Sequence, residues 1–499
     1  MVGSRAEIRA VRRHRVPAWW TDAKLGIFVH WTPASVPAFA PVDSGIGALL
    51  ARRDPSALAW SPYAEWYQNS LRFPDSPAAR FHARHYPGRS YDSFIPDWEA
   101  GLAGWDPDEW ASRFADTGAR YVVLVAKHHD GYCLWPTDVP NPHRPGFHST
   151  RDVVGELADA VRAAGMRFGL YYSGGLDWTF NDRPIGSFGD LPAAQPRGDY
   201  VAYAEDHLRE LIGRYRPSVL WNDISWPGGL HQLAGLLAGY YDAVPDGVVN
   251  DRFMPWSPLW ELAKSPPGRR MLDFYSARSA AAKQGLVPPK PPLFDVRTPE
   301  YAVFDRVQPT PWECVRGMDK GFGHNRESTE GDFISRRDLV WSLADIAAKG
   351  GNLLLNVGPR GEDATIAEPQ LRRLEWLARF TDATGDALFA TRPWVHAQGR
   401  ADGGVEVRYT TRDTTVHALL RLADYGLEAD PPTTRLLTLA EVRATPVTEV
   451  ATLDGRPLAW ASTPAGIRIE PLEALSAELP IVVALRHVEA GPAPVGTRR

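Results

Sequence analysis

Cysteine is scarce in this chain: Cys133 and Cys314 are the only two in 499 residues. Two thiols cannot make a disulfide framework, so both read as free and buried. No apolar run reaches the roughly 18 residues that a membrane helix needs, so no membrane span is expected. The basic N-terminus, MVGSRAEIRAVRRHRVPAWW, lacks the apolar stretch of a signal peptide. These absences together lead us to expect a soluble, cytoplasmic protein. Excess positive charge is missing as well. The formal net charge is -5, so there is no electrostatic reason to expect nucleic acid or an anionic membrane surface as a partner. No Gly-rich dinucleotide fingerprint follows the first apolar run, GIFVHWTPAS, and there is no phosphate-binding loop, HxH or HExxH elsewhere. The expectation is no cofactor and no metal.

Aromatic residues are plentiful instead: 19 Trp, 17 Tyr and 18 Phe. Indole faces stack on the C–H faces of sugars, and they also fill cores, so composition alone leaves both readings open. The length suits one large and one small domain, expected at 1–390 and 391–499. Up to about residue 360, continuous apolar runs alternate with amphipathic helical patterns. Gly26–His30, Arg120–Ala126, Arg167–Tyr172, Ser218–Trp221, Gly247–Val249 and Asn352–Val357 read as strands covered on both faces. Val153–Ala164, Tyr200–Tyr215 and Arg337–Lys349 carry apolar residues at helical spacing. This alternation predicts an α/β fold, a (β/α)8-like barrel or a doubly wound sheet.

The polar residues favour the barrel. His30, His128, His129, Tyr171, Tyr172, Asp223 and Arg252 fall at or just past the C-terminal ends of predicted strands. Barrel enzymes gather their chemistry at that face, from many strands. After about residue 390 the pattern becomes short alternating runs between Gly, Pro and Asp turns: Val405–Thr410, Val416–Arg421, Val447–Leu453 and Gly466–Glu470. They predict a small C-terminal β-sandwich. The Lys- and Pro-rich stretch Ala280–Pro292 reads as a surface loop, and the last residues, GPAPVGTRR, as a frayed tail.

Three stretches carry chemistry. In LVAKHHDGYCLW (124–135) the adjacent imidazoles point to opposite sides of an extended chain, which argues against a metal pair. They read as hydrogen-bonding groups for a polyol, or as core histidines under a turn. In SVLWNDISWP (218–227) Asp223 ends an apolar run with no charged neighbour close by. It reads as a nucleophile for an anomeric carbon or as a helix N-cap. LFDVRTPEY (293–301) and PWEC (311–314) supply Glu300 and Glu313 as candidates for a second carboxylate. Glycosidases need one ionised and one protonated carboxyl group.

WWTDAKLGIFVHW, AEWY, AKHHDGYCLW, GLYYSGGLDW, LWND, TPEY, PWEC and KGGNLLLNVGP occur in this order over roughly residues 19–395. Together they resemble glycoside hydrolase family 29, the retaining α-L-fucosidases. The resemblance implies a barrel with a C-terminal sandwich, no cofactor, and an exo-acting double displacement on a fucosylated oligosaccharide or other glycoside. It also implies roles. Asp223 matches the nucleophile, and Glu300 the acid/base, with Glu313 as the alternative. His30, Glu65, Trp66, His128, His129, Tyr171 and Arg252 match positions that grip the sugar, and Trp226 one that flanks its methyl group. Thr32 and Ala34 after HW, the GFGHN stretch (321–325), and Ile224 after LWND depart from the family's usual residues. These departures bear on the leaving-group preference. An exo-glycosidase for a similar sugar such as L-galactose, a sugar-binding protein without catalysis, and a metal-dependent barrel hydrolase are the competing expectations. A homo-oligomer is left open.

Overall fold

The computed structural model describes residues 4–52, 54, 56–283, 285–421, 436–469 and 480–492. Most of the tail, from 493 onward, and residue 470 at the end of a predicted strand lie outside the described residues. Seven strands form a parallel sheet: β1 (Leu25–Val29), β2 (Tyr121–Lys127), β3 (Arg167–Tyr172), β4 (Val219–Asn222), β5 (Val248–Val249), β6 (Trp312–Arg316) and β7 (Gly351–Val357). Their order is β5-β4-β3-β2-β1-β7-β6. Nearly every strand residue is buried, because the sheet is curled around an inner layer of side chains and covered outside by helices. That explains the continuous rather than alternating hydrophobicity of the strands.

The gap between β5 and β6 is bridged by residues 295–301. Val296 makes a parallel bridge to Asn250, and Arg297 and Glu300 make parallel bridges to Trp312 and Val315. This eighth rung is irregular and depends on side chains. Asp251 accepts hydrogen bonds from the Arg297 Nε, the Thr298 amide and the Thr298 hydroxyl. Asp295 accepts from Tyr241 Oη and the Val249 amide, and pairs with His14 Nδ1. A short polar segment is thereby fixed in a place where apolar strands sit elsewhere.

The helices Val153–Ala163, Asp199–Tyr215 and Arg336–Ala348 match the predicted helical patterns to within about one residue. The stretch read as a surface loop differs from expectation. A helix spans Pro266–Lys283, and Leu286 then pairs antiparallel with Glu300. Its Lys and Pro residues mask the apolar residues that carry these contacts.

Beyond the barrel, β8 (Arg392–Arg400), β9 (Glu406–Arg412), β10 (Thr415–Arg421), β11 (Leu437–Leu439), β12 (Val442–Thr452), β13 (Trp460–Thr463), β14 (Gly466–Ile469) and β15 (Ile481–Ala490) form two antiparallel sheets. Their orders are β12-β15-β10-β9-β8 and β11-β14-β13. Val407, Ala418 and Leu485 from one meet Leu437, Ile467 and Ile469 from the other in a shared core. This is the small β-sandwich that the alternating runs predict. No helix among the described residues is long and apolar enough to cross a membrane.

Candidate active site

A small pocket opens at the C-terminal ends of the barrel strands, lined by residues that include His30, Glu65, Trp66, His128, Tyr171, Asp223, Arg252 and Glu300. Asp223 follows β4. The next residue, Ile224, has φ +66°, a left-handed turn that a β-branched side chain rarely adopts. The turn aims the carboxylate back over the barrel. Asn222 secures it from below, donating from Nδ2 to the carbonyls of Ser225 and Arg252, each at 2.9 Å.

Asp223 is held on both oxygens. Tyr171 Oη donates to Oδ2 at 2.8 Å, and Arg252 Nη1 and the Ile224 amide donate to Oδ1 at 3.0 and 2.8 Å. The other arm of Arg252, Nη2, donates to Glu300 Oε2 at 3.0 Å. Tyr63 Oη donates to Glu300 Oε1. One planar guanidinium therefore joins two carboxylates from different segments. Burial opposes the charge on Arg252, but Asp223 and Glu300 more than offset it and hold its pKa above the usual value. The guanidinium also lies over the Trp221 ring, 4.9 Å from its centroid. Glu300 itself is fixed by its main chain, which exchanges two hydrogen bonds with Leu286. Gly285 makes that approach achievable, since a Cβ there would stand 2.3 Å from the Glu300 carbonyl oxygen.

His30 and His128 line the pocket, and His129 sits beside it with Nε2 3.9 Å from Asp223 Oδ2. Burial pushes all three down: His30 to about 4, His129 to about 3, and His128 well below its usual value. They are neutral at physiological pH, and their neighbours set the tautomers. The Asn356 amide donates to the Phe322 carbonyl, so its Oδ1 faces His30 Nδ1 at 2.6 Å. Ser173 Oγ donates to the Leu176 carbonyl and receives His129 Nδ1 at 2.7 Å. In both rings Nδ1 carries the proton, which leaves Nε2 as an acceptor for a hydroxyl donor. Glu65 is pushed up to about 8 by burial, while its Oε2 accepts the Gly323 amide at 2.8 Å. At neutral pH it is a protonated carboxyl that can donate.

Two of the sequence candidates sit elsewhere. Glu313, on β6, is fully buried inside the barrel beneath the pocket. Its oxygens accept from Tyr121 Oη at 2.7 Å and Trp221 Nε1 at 3.0 Å, and burial raises it to about 7. Trp226 does not reach the pocket either. Its main chain bridges to Pro255, and the indole is fully buried, 6.0 Å from Phe253 between centroids. The apolar walls are instead Phe28, Trp66, Trp221, Val315 and Phe322. Sequence reasoning does not single out Tyr63, Ser173, Asn222 or Asn356. The last three lie within quoted motifs, but their role is to hold neighbouring side chains and carbonyls, and nothing in the pattern signals that.

Comparison with known proteins agrees with this geometry. A family model described as Alpha-L-fucosidase matches residues 4–386. A curated α-L-fucosidase from Branchiostoma floridae is 31% identical over 483 residues, covering 93% of this chain and 91% of its own. The tissue α-L-fucosidase of Mus musculus is 29% identical and covers 81% and 77%. Among solved structures, the Thermotoga maritima α-fucosidase in complex with fucose superposes with a TM-score of 0.77 at 33% identity, covering 96% of this chain and 98% of that one. The chain belongs to the α-L-fucosidase family, glycoside hydrolase family 29.

Proposed function

We propose that the chain is an exo-acting, retaining glycosidase for terminal α-L-fucosides. Asp223 attacks the anomeric carbon while Glu300 delivers a proton to the glycosidic oxygen, and the aglycone leaves as an alcohol. Glu300 then takes a proton from water, the water oxygen attacks the same carbon, and the Asp223 ester breaks to release fucose. The observation that carries this reading is the single guanidinium, Arg252, that joins both carboxylates in one pocket. His30 and His129 accept from sugar hydroxyls through Nε2, and Glu65 donates to one. The apolar faces of Phe28, Trp221 and Phe322 suit a ring carbon that bears a methyl group rather than a hydroxymethyl group. An apolar wall rejects one added hydroxyl only weakly, by about 10²-fold, so L-galactosides are expected as poor substrates rather than inert ones.

Proton NMR of the first product and azide rescue test the assignment together. Retention requires the α-anomer of fucose to form first. Glu300→Ala should recover turnover of an activated aryl fucoside with azide, and Glu313→Ala should not. A β-anomer as first product, or rescue of the Glu313 variant alone, overturns it.

A further inference from the structure

A second, wider cleft of about 570 Å³ opens directly onto the two carboxylates, and Asp223, Arg252, Glu300, Tyr63 and Trp66 line both cavities. The leaving group must occupy it, because Glu300 faces the glycosidic oxygen and the cleft is continuous with that point. Three excursions from the barrel build its walls, contributing Ile46 and Leu58, Phe188 and Leu191, and Trp260 and Leu272. On the helix Pro266–Lys283, residues Leu272, Tyr275, Ser276 and Ser279 face the cleft at helical spacing. Ile224, the residue strained into a left-handed turn, adds its side chain beside the nucleophile.

Polar groups away from the carboxylates are few. The lining holds the hydroxyls of Ser225, Ser276, Ser279 and Tyr275, and Ser225 Oγ already accepts from Gln195 Nε2 at 2.8 Å. A sugar leaving group would lose water from its hydroxyls against aliphatic side chains with little to replace it. The surface outside the cleft continues the theme. Leu259, Leu262, Met271 and Tyr275 are 70%, 67%, 54% and 61% exposed on the same helical excursion that walls it. Such a concentration of exposed large apolar residues marks a binding surface.

We infer that the leaving-group site takes a bulky apolar aglycone, an alkyl, aryl or fused-ring alcohol, in preference to a further sugar. This rests on the proposed fucosidase activity. Alkyl α-L-fucosides from methyl to octyl test it, because their alcohols leave about equally well and differ mainly in apolar surface. kcat/KM should rise by about two- to fourfold per methylene until the cleft fills. The octyl compound should then exceed a fucosyl-galactose disaccharide. Leu272→Asn and Tyr275→Ala should flatten the chain-length dependence, lowering kcat/KM for the octyl compound far more than for the methyl fucoside, and the exposed Tyr275 makes the second variant safe for folding. Turnover of methyl and aryl fucosides without any chain-length dependence, or with the disaccharide preferred, overturns the inference and leaves the activity standing. No turnover of any fucoside overturns the activity and the inference with it.

Discussion

The tautomer of His30 depends on one neighbour, and Asn356→Asp tests that dependence. The wild-type ring sits at about 4 because burial lowers it more than the Asn356 hydrogen bond and the charge of Asp223 raise it. The substitution would place a carboxylate oxygen where the amide Oδ1 now lies, 2.6 Å from Nδ1. A hydrogen bond to a charged group contributes about 1.5–3 kcal/mol against about 0.5–1.5 kcal/mol for a neutral one, so the exchange gains about 1–1.5 kcal/mol, equivalent to about one pKa unit. A Coulomb estimate at an effective dielectric of about 20 and a charge separation of about 4 Å gives about 4 kcal/mol, or about three units. His30 should therefore titrate between about 5 and 7. Once protonated, its Nε2 donates instead of accepting, and on the proposed reading the sugar hydroxyl that donates to it loses that acceptor. kcat/KM for an aryl fucoside, measured from about pH 4.5 to 8.5, should gain an acidic limb in the variant, with a deficit at pH 5 larger than at pH 8 by about twofold if His30 titrates near the lower end of that range and by about a hundredfold at the upper end. Thermal melts at each pH separate this from unfolding, since the variant also loses the amide that donates to the Phe322 carbonyl. A variant profile parallel to the wild type at all pH values would refute the reasoning.

Tyr171→Phe removes the donor to Asp223 Oδ2; kcat/KM for an aryl fucoside should fall by about 10- to 150-fold with the fold intact, and a loss under about threefold would mean that Arg252 and the Ile224 amide position the carboxylate without it. Glu313→Gln should keep near-normal kcat/KM, because Glu313 lies under the pocket. The same variant has a stability signature. Glu313 is raised from 4.5 to about 7 in the fold, so the folded chain binds more protons between those values, and its stability falls as pH rises across that window. The difference is worth about 3 kcal/mol at alkaline pH, and Glu313→Gln should abolish it; superimposable melting profiles from pH 5 to 8.5 would contradict this.

The barrel is legible because strands buried on both faces are written as unbroken apolar runs, and Arg167–Tyr172 matches residue for residue. β6 is not, since its five residues, WECVR, place a carboxylate and a guanidinium in the strand. The rung at 295–301 is hidden from a sequence reading for a related reason. Its position comes from Asp251 and Asp295, two side chains that gain their partners only after the chain has folded. His30, His128, Tyr171, Asp223 and Arg252 meet at the pocket because barrel topology makes strand ends converge, whereas Tyr172 faces outward and pairs with His207. Trp226 does not follow that rule. The left-handed turn at Ile224 redirects the chain within three residues, and periodicity carries no information about such a turn.

The most direct test of the account is covalent trapping. A 2-deoxy-2-fluoro-fucosyl fluoride slows formation of the glycosyl-enzyme and slows its hydrolysis, so the ester accumulates. Peptide mass mapping of the inactivated enzyme should place one fluorofucosyl group on the peptide that contains Asp223, with fucose protecting against labelling. A label on Glu300, Glu313 or any other residue would contradict the central claim.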